Sequence, residues 1–168
     1  LRQYCRKPLP ETLLLLLIDY TSLRKCQWEE ALLPHLEWAY ISRAGVALIR
    51  VGAEDAKHEL RAERYIGRSL VDPQIDAMLE AQPGRATPLA HGLDLALRTL
   101  HHAMQHGRSA VLRVRLVVIS DGRGNVPLAA SQTGEVQAPV RRQGVDDALR
   151  VAQEFGGLPQ VEVVFLNP

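Results

Sequence analysis

The sequence predicts an α/β fold: a doubly wound, mostly parallel central sheet in the order 3-2-1-4-5, with strand three antiparallel and helices on both faces. Two aliphatic runs, and the helical segments between them, carry that prediction. The first run, TLLLLLIDYTS at Thr12 to Ser22, places a block of large aliphatic residues directly before an aspartate and a hydroxyl-rich turn. A segment apolar at every position suits a strand buried on both faces, as parallel strands between two helical layers are. The second run, within Val111 to Asp121, delivers another aspartate through LVVISDG. Ligands of open α/β sheets bind beyond the carboxyl ends of the strands, where strand order reverses, so neighbouring strands ending in Asp19 and Asp121 would build a site there.

The remaining elements follow in order. Trp28, Ala31, Leu32, Leu36 and Tyr40 recur at helical spacing, which predicts a helix over Gln27 to Ser42, and Pro34 is expected to kink or delay it. Gly45 opens VALIRV, the second strand. GAED then turns into a short polar third strand near His58 to Glu63. So few residues separate these two strands that they must be antiparallel, because a parallel pair needs a long crossover. Asp72 is an N-cap with Pro73 at the first helical position, starting a short helix through about Glu80. Thr87 and Pro88 repeat that device, and Leu89, Leu93, Leu97, Leu100 and Met104 form the apolar stripe of a helix over Pro88 to His106. Arg113 to Ser120 is the fourth strand. The segment DGRGNVPLAASQTGEVQAPVRRQG, rich in turn formers and polar residues, reads as a long surface loop. Asp146 to Phe155 is the last helix, GGLP stops it, and VEVVFL is the final strand.

A chain of 168 residues suits one domain with a core that needs no cross-links. The net charge of +1 and the dispersed basic residues give no electrostatic case for nucleic acid or an anionic membrane. Cys5 and Cys26 form no CxxC or Cys/His cluster and read as reduced thiols of a cytoplasmic protein. RKPLPETLLLLLI imitates a secretory signal, but its apolar run is short, closes on Asp19 and has no small-residue cleavage site. No stretch reaches the length of a membrane span. A start on Leu1 instead of Met is expected of a piece excised from a longer chain.

Several chemistries lack their parts. His102 and His106 stand one helical turn apart without the glutamate of HExxH, and read as a solvated pair. Neither GxSxG, GxGxxG nor GxxxxGK occurs, so no nucleophile or phosphate-cradling loop is indicated. A metal-dependent phosphoryl-transfer enzyme built on Asp19 and Asp121 would also need one of these, or a second metal.

What remains is specific. DYTSL after the first strand, ATPLAHGL at a helix start and ISDGRGN after the fourth strand resemble the three loops of the metal-ion-dependent adhesion site of von Willebrand factor A domains: Asp-x-Ser-x-Ser, a lone Thr and a late Asp. Within that group, LRQYCRKPLPETLLLLLIDYTS, AYISRAGVALIRVG, RATPLAHGLDLAL and LVVISDGRGNVPLA are similar to the C-terminal domain of the magnesium chelatase D subunit and its relatives. The similarity runs over nearly the whole chain, implying a single von Willebrand A domain over 1–168, the C-terminal part of a longer protein.

The resemblance assigns metal ligands residue by residue: Asp19 to the first aspartate, Thr21 to the first serine, Thr87 to the lone threonine and Asp121 to the late aspartate. Leu23 replaces the second serine and offers no oxygen, whereas Mg²⁺ takes near-octahedral oxygen coordination. The site is therefore expected to be degenerate, empty of Mg²⁺ or weakly occupied. Ser22, one position earlier, is an alternative donor, a choice the sequence leaves open. Arg24 and Lys25 are either cations that neutralise Asp19 and Asp121 or solvated charges at a helix start. Arg24, Arg123 and Asn125 are the candidate partner-binding residues. The resemblance implies no catalytic centre but an adaptor that docks on an AAA+ ATPase subunit or another protein of a multi-subunit complex, with neither nucleic acid nor membrane as partner. A metal-independent interaction domain, in an AAA+-associated system unrelated to chelation, is the alternative.

Overall fold

The computed structural model describes residues 12–23, 28–67, 69–106, 113–135 and 141–168. Strand β1 (Thr12–Asp19) lies at the centre of a five-stranded sheet in the order β3-β2-β1-β4-β5. It pairs in parallel with β2 (Gly45–Val51) on one side and β4 (Arg113–Ile119) on the other. β3 (Glu63–Gly67) runs antiparallel to β2, and β5 (Val161–Leu166) parallel to β4. Strand order thus reverses between β1 and β4, as the sequence predicts.

The unbroken aliphatic run of β1 has a direct cause in this placement. Successive side chains of a strand point to opposite faces, and both faces of β1 are covered. Leu15 and Leu17 enter a core shared with α3 (Leu89–His106) and α5 (Arg141–Glu154), in which Leu93, Leu97, Leu100 and Phe155 are buried. Leu14, Leu16 and Ile18 enter a second core under α1 (Trp28–Ile41) and α2 (Pro73–Leu79), with Leu32, Ala39 and Ile75. The side chain of Asp72 accepts from Gln74 N at 3.0 Å, which confirms its N-cap role.

Several expectations need correction. The third strand is Glu63–Gly67, not His58 to Glu63. Its partners on β2 end at Arg50, which forms ion pairs with Glu63 at 2.6 Å and Asp55 at 3.0 Å. The residues between these two carboxylates belong to the connection, and the strand continues through the stronger strand formers Tyr65 and Ile66. Helix α1 runs through Pro34 from Trp28, so the proline does not delay it. Its buried positions are Leu32 and Ala39, while Ala31 and Tyr40 are exposed. Between β4 and α5 the chain is no continuous loop: Leu128–Thr133 forms a helix, α4, closed by Gly134 in the left-handed conformation (φ 82°). Two alanines favour that helix, and glycine at its end removes the Cβ penalty. Helix α5 starts at Arg141, ahead of the predicted Asp146. Finally, Thr87 does not repeat the Asp72 device, because its hydroxyl is directed at Thr21 instead.

The β2–β3 connection is fastened over the carboxyl end of the sheet. Arg61 donates to the carbonyls of Ser131 at 2.8 Å and Gln132 at 3.3 Å, and Leu60 packs on a small core of Ala86, Val126 and Ala130. His91 of α3 accepts from Ala62 N through Nδ1 at 2.9 Å. Burial lowers the pKa of His91 below its ordinary 6.5; Asp94 opposes this, while Arg61 and Arg98 add to it. Among the described residues, no helix is long and apolar enough to cross a membrane.

The sign of the resulting pH effect is fixed. A histidine whose folded pKa is depressed binds fewer protons folded than unfolded, so its stabilisation is present above pH 6.5 and lost as pH falls through the folded value. Urea unfolding at a series of pH values should show a wild-type loss below pH 6.5 that is missing from the stability curve of His91→Ala.

Candidate functional site

Register, more than the choice of catalytic-looking residues, builds the site. The β1–β4 pairing ends with Ile18 opposite Ile119, which sets Asp19 beside Ser120 at the reversal point. Asp19 is fully buried, and its carboxylate is shared between both strands. Oδ1 accepts from Thr21 N at 3.1 Å and Thr21 Oγ1 at 2.7 Å, and Oδ2 accepts from Ser120 Oγ at 2.8 Å. Burial pushes the Asp19 pKa up, the bonds from Thr21 and Ser120 oppose that, and the charge of Asp121 adds to the rise. No ion pair neutralises Asp19 among the described residues.

The hydroxyl of Thr87, at the start of α3, lies 2.7 Å from that of Thr21. A hydroxyl has one proton. Since Thr21 gives its proton to Asp19, Thr87 is the donor in this second bond. Thr87 is in turn held from the β4 side: its N–H donates to Asn125 Oδ1 at 2.7 Å, and its carbonyl accepts from Asn125 N at 3.2 Å. Gly52, at the end of β2, closes the floor. Its φ of 69° suits glycine, and a Cβ there would stand 2.6 Å from Thr21 Cγ2 and 2.8 Å from the carbonyl of Ala86.

The residues singled out from sequence divide clearly. Asp19, Thr21 and Thr87 converge through direct hydrogen bonds. Asp121 is at the same rim but folds onto its own turn, accepting from Arg123 N at 2.9 Å, with Arg123 Nε 3.9 Å away. The Arg123 side chain is 85% exposed. Asn125 is occupied with Thr87. Ser22 turns inward and donates to the Asp19 carbonyl at 2.9 Å, so its side chain serves the turn, not the rim. Leu23 packs against the α1-side core. Arg24, Lys25, Cys5 and Cys26 lie outside the described residues. His102 is exposed on α3, while the side chain of His106 is outside the described set.

Ser120 is the residue that sequence reasoning missed. It bridges Asp19 and the next turn, since its Oγ also accepts from Gly122 N at 3.0 Å. The signal was its position immediately before Asp121, one step beyond an aliphatic strand that pairs with β1.

Chemically, the arrangement is a set of hard oxygen donors. The Asp19–Thr21 and Thr21–Thr87 oxygen separations, both 2.7 Å, are near the ligand–ligand edge of about 3 Å that octahedral Mg²⁺ geometry requires. Leu23 supplies nothing to such a set.

A mostly parallel sheet with an oxygen-lined crevice at its reversal point defines the class of this protein as a doubly wound α/β domain. Its sequence kinship is narrower: the chain is 35% identical over 132 residues to the magnesium-chelatase 60 kDa subunit of Cereibacter sphaeroides, a match covering 77% of this chain and 21% of that subunit. The chain thus spans about a fifth of the length of the curated relative it matches. No family model matches it.

Ser120→Ala should destabilise the domain by about 1–3 kcal/mol, because it leaves a buried carboxylate oxygen without its donor. Asp121→Ala, on the open side of the rim, should have a smaller effect. Denaturant unfolding of the two variants against wild type checks that order.

Proposed function

We propose that this chain is a docking domain of the von Willebrand A kind with a degenerate metal-ion-dependent adhesion site. In this reading it couples an AAA+ ATPase to another protein of a multi-subunit complex similar to magnesium chelatase. One observation carries the reading: the oxygens of Asp19, Thr21 and Thr87 meet at the point of strand reversal. Kinship with a magnesium-chelatase subunit supports the context of a multi-subunit complex. Asp19, Thr21, Thr87 and Asp121 would hold Mg²⁺, which when bound offers a coordination position to a partner's carboxylate. The chain's own residues position the donors: Ser120 orients Asp19, and Asn125 fixes Thr87.

A metal-independent form of the same role is favoured by two details. Thr21 and Thr87 already satisfy one another, and Arg123 is free of burial beside Asp121, where it can receive a carboxylate directly. In both forms the domain works by binding and carries no catalytic centre of its own. It works in the cytoplasm, with proteins as partners.

Melting curves with added Mg²⁺ or Mn²⁺ separate the two. A ligand that binds only the folded state stabilises it by about 0.4 kcal/mol when its concentration equals Kd. The metal-dependent form predicts a rise in Tm at high metal concentration that Thr87→Val removes; the metal-independent form predicts none. Under both, Asp121→Ala and Arg123→Ala should weaken retention of a chelatase AAA+ subunit in pull-downs without changing circular dichroism, and His102→Ala should leave both unchanged. Full retention by both rim variants would refute docking at this rim.

A further inference from the structure

β5 combines an interior strand's composition with an edge position. VEVVFL is apolar on both faces, yet the strand is the last of the sheet, and Val163 and Phe165 are 48% and 56% exposed. An edge strand presents unpaired backbone N–H and C=O groups, and proteins ordinarily blunt such edges with charge. β3, at the opposite edge, carries Glu63 and Arg64 within five residues. The lone charge on β5, Glu162, is already neutralised by Arg115 of β4 at 2.8 Å. Beside the exposed pair runs an apolar groove of about 450 Å³, bounded by Leu93, Phe155 and Leu158.

We propose that the β5 edge is a self-association surface, on which β5 of a second copy pairs antiparallel to join two sheets into one. The occupant must be an extended strand, because an edge of backbone groups is satisfied by another backbone. The sequence of β5 fits its own copy in one register. With Val164 opposite Val164 of the second copy, Val163 faces Phe165 on the groove side and Glu162 faces Leu166 on the other. These are apolar cross-strand pairs on the groove face, with Glu162 kept on its own Arg115.

Area sets the strength. A six-residue strand is about 20 Å long and a sheet about 10 Å thick, so edge pairing alone buries well under the roughly 1,200 Å² typical of stable interfaces. Packing at the groove adds to this without reaching an obligate dimer. The association is therefore weak, in the micromolar range and concentration-dependent.

Sedimentation velocity of the 168-residue chain from low to several hundred micromolar tests this. The expected result is a reversible monomer–dimer equilibrium that Val163→Lys and Phe165→Lys each abolish, with circular dichroism and melting preserved. In a Cys5→Ser, Cys26→Ser background, Val164→Cys should form an intermolecular disulfide on oxidation and Ile66→Cys, on the other edge, should not. A chain monomeric at every concentration, a dimer unaffected by both lysine variants, or a dimer with no cross-link at position 164 would each overturn the proposal. The last outcome would place another surface, or another occupant of the groove, at the contact.

Discussion

Burial of β1 on both faces is the constraint from which the rest of the structure follows. A strand whose every interior side chain is apolar needs a helical layer above it and another below, and the two cores on Leu15 and Leu17, and on Leu14, Leu16 and Ile18, provide them. It also needs a neighbour on each edge, and β2 and β4 are both parallel to it. Parallel neighbours align carboxyl ends, so the polar residues that terminate these strands meet at one end of the sheet. The crevice is thus a by-product of packing before it is anything else.

At that crevice the energetics change character. Asp19 is a carboxylate in a fully buried position with neutral donors as its partners, and burial outweighs those donors in setting its pKa. The rim is polar and internally bonded, while the layers beneath it are apolar and close-packed. Arg50 shows the contrast: also buried, it reaches the carboxylates of Asp55 and Glu63, so its charge is matched, whereas among the described residues no cation pairs with Asp19.

The fold was legible because period and composition agreed in its central elements. The aliphatic block of β1, the leucine stripe of α3 and the apolar VVI of β4 each admit one reading, and their order dictates the topology. Legibility failed where side chains do not face the core. β3 is an edge strand with exposed Arg64 and Ile66, so its pattern is weak and it was placed too early. Helix α4 is only one and a half turns long and lies in a polar segment, and α5 begins with charged residues and a glycine. At the site, Asp19 was legible as the residue that closes an aliphatic strand, and Thr21 and Thr87 were singled out only by the resemblance to von Willebrand A loops. Ser120 was not, because its role comes from the strand register, a property of two segments far apart in sequence. Ser22 and Asn125 were read as rim donors, yet both are occupied with backbone groups.

The paired amide bonds between Thr87 and Asn125 have an evolutionary consequence. They cross between the start of α3 and the turn after β4 outside any strand, so they tie the rim together apart from the hydrogen-bond ladders of the sheet. A rim oxygen can be lost by substitution while the layers and topology stay intact. The crevice and the scaffold are separately heritable, and a domain of this build can keep its shape long after the chemistry at its edge has drifted.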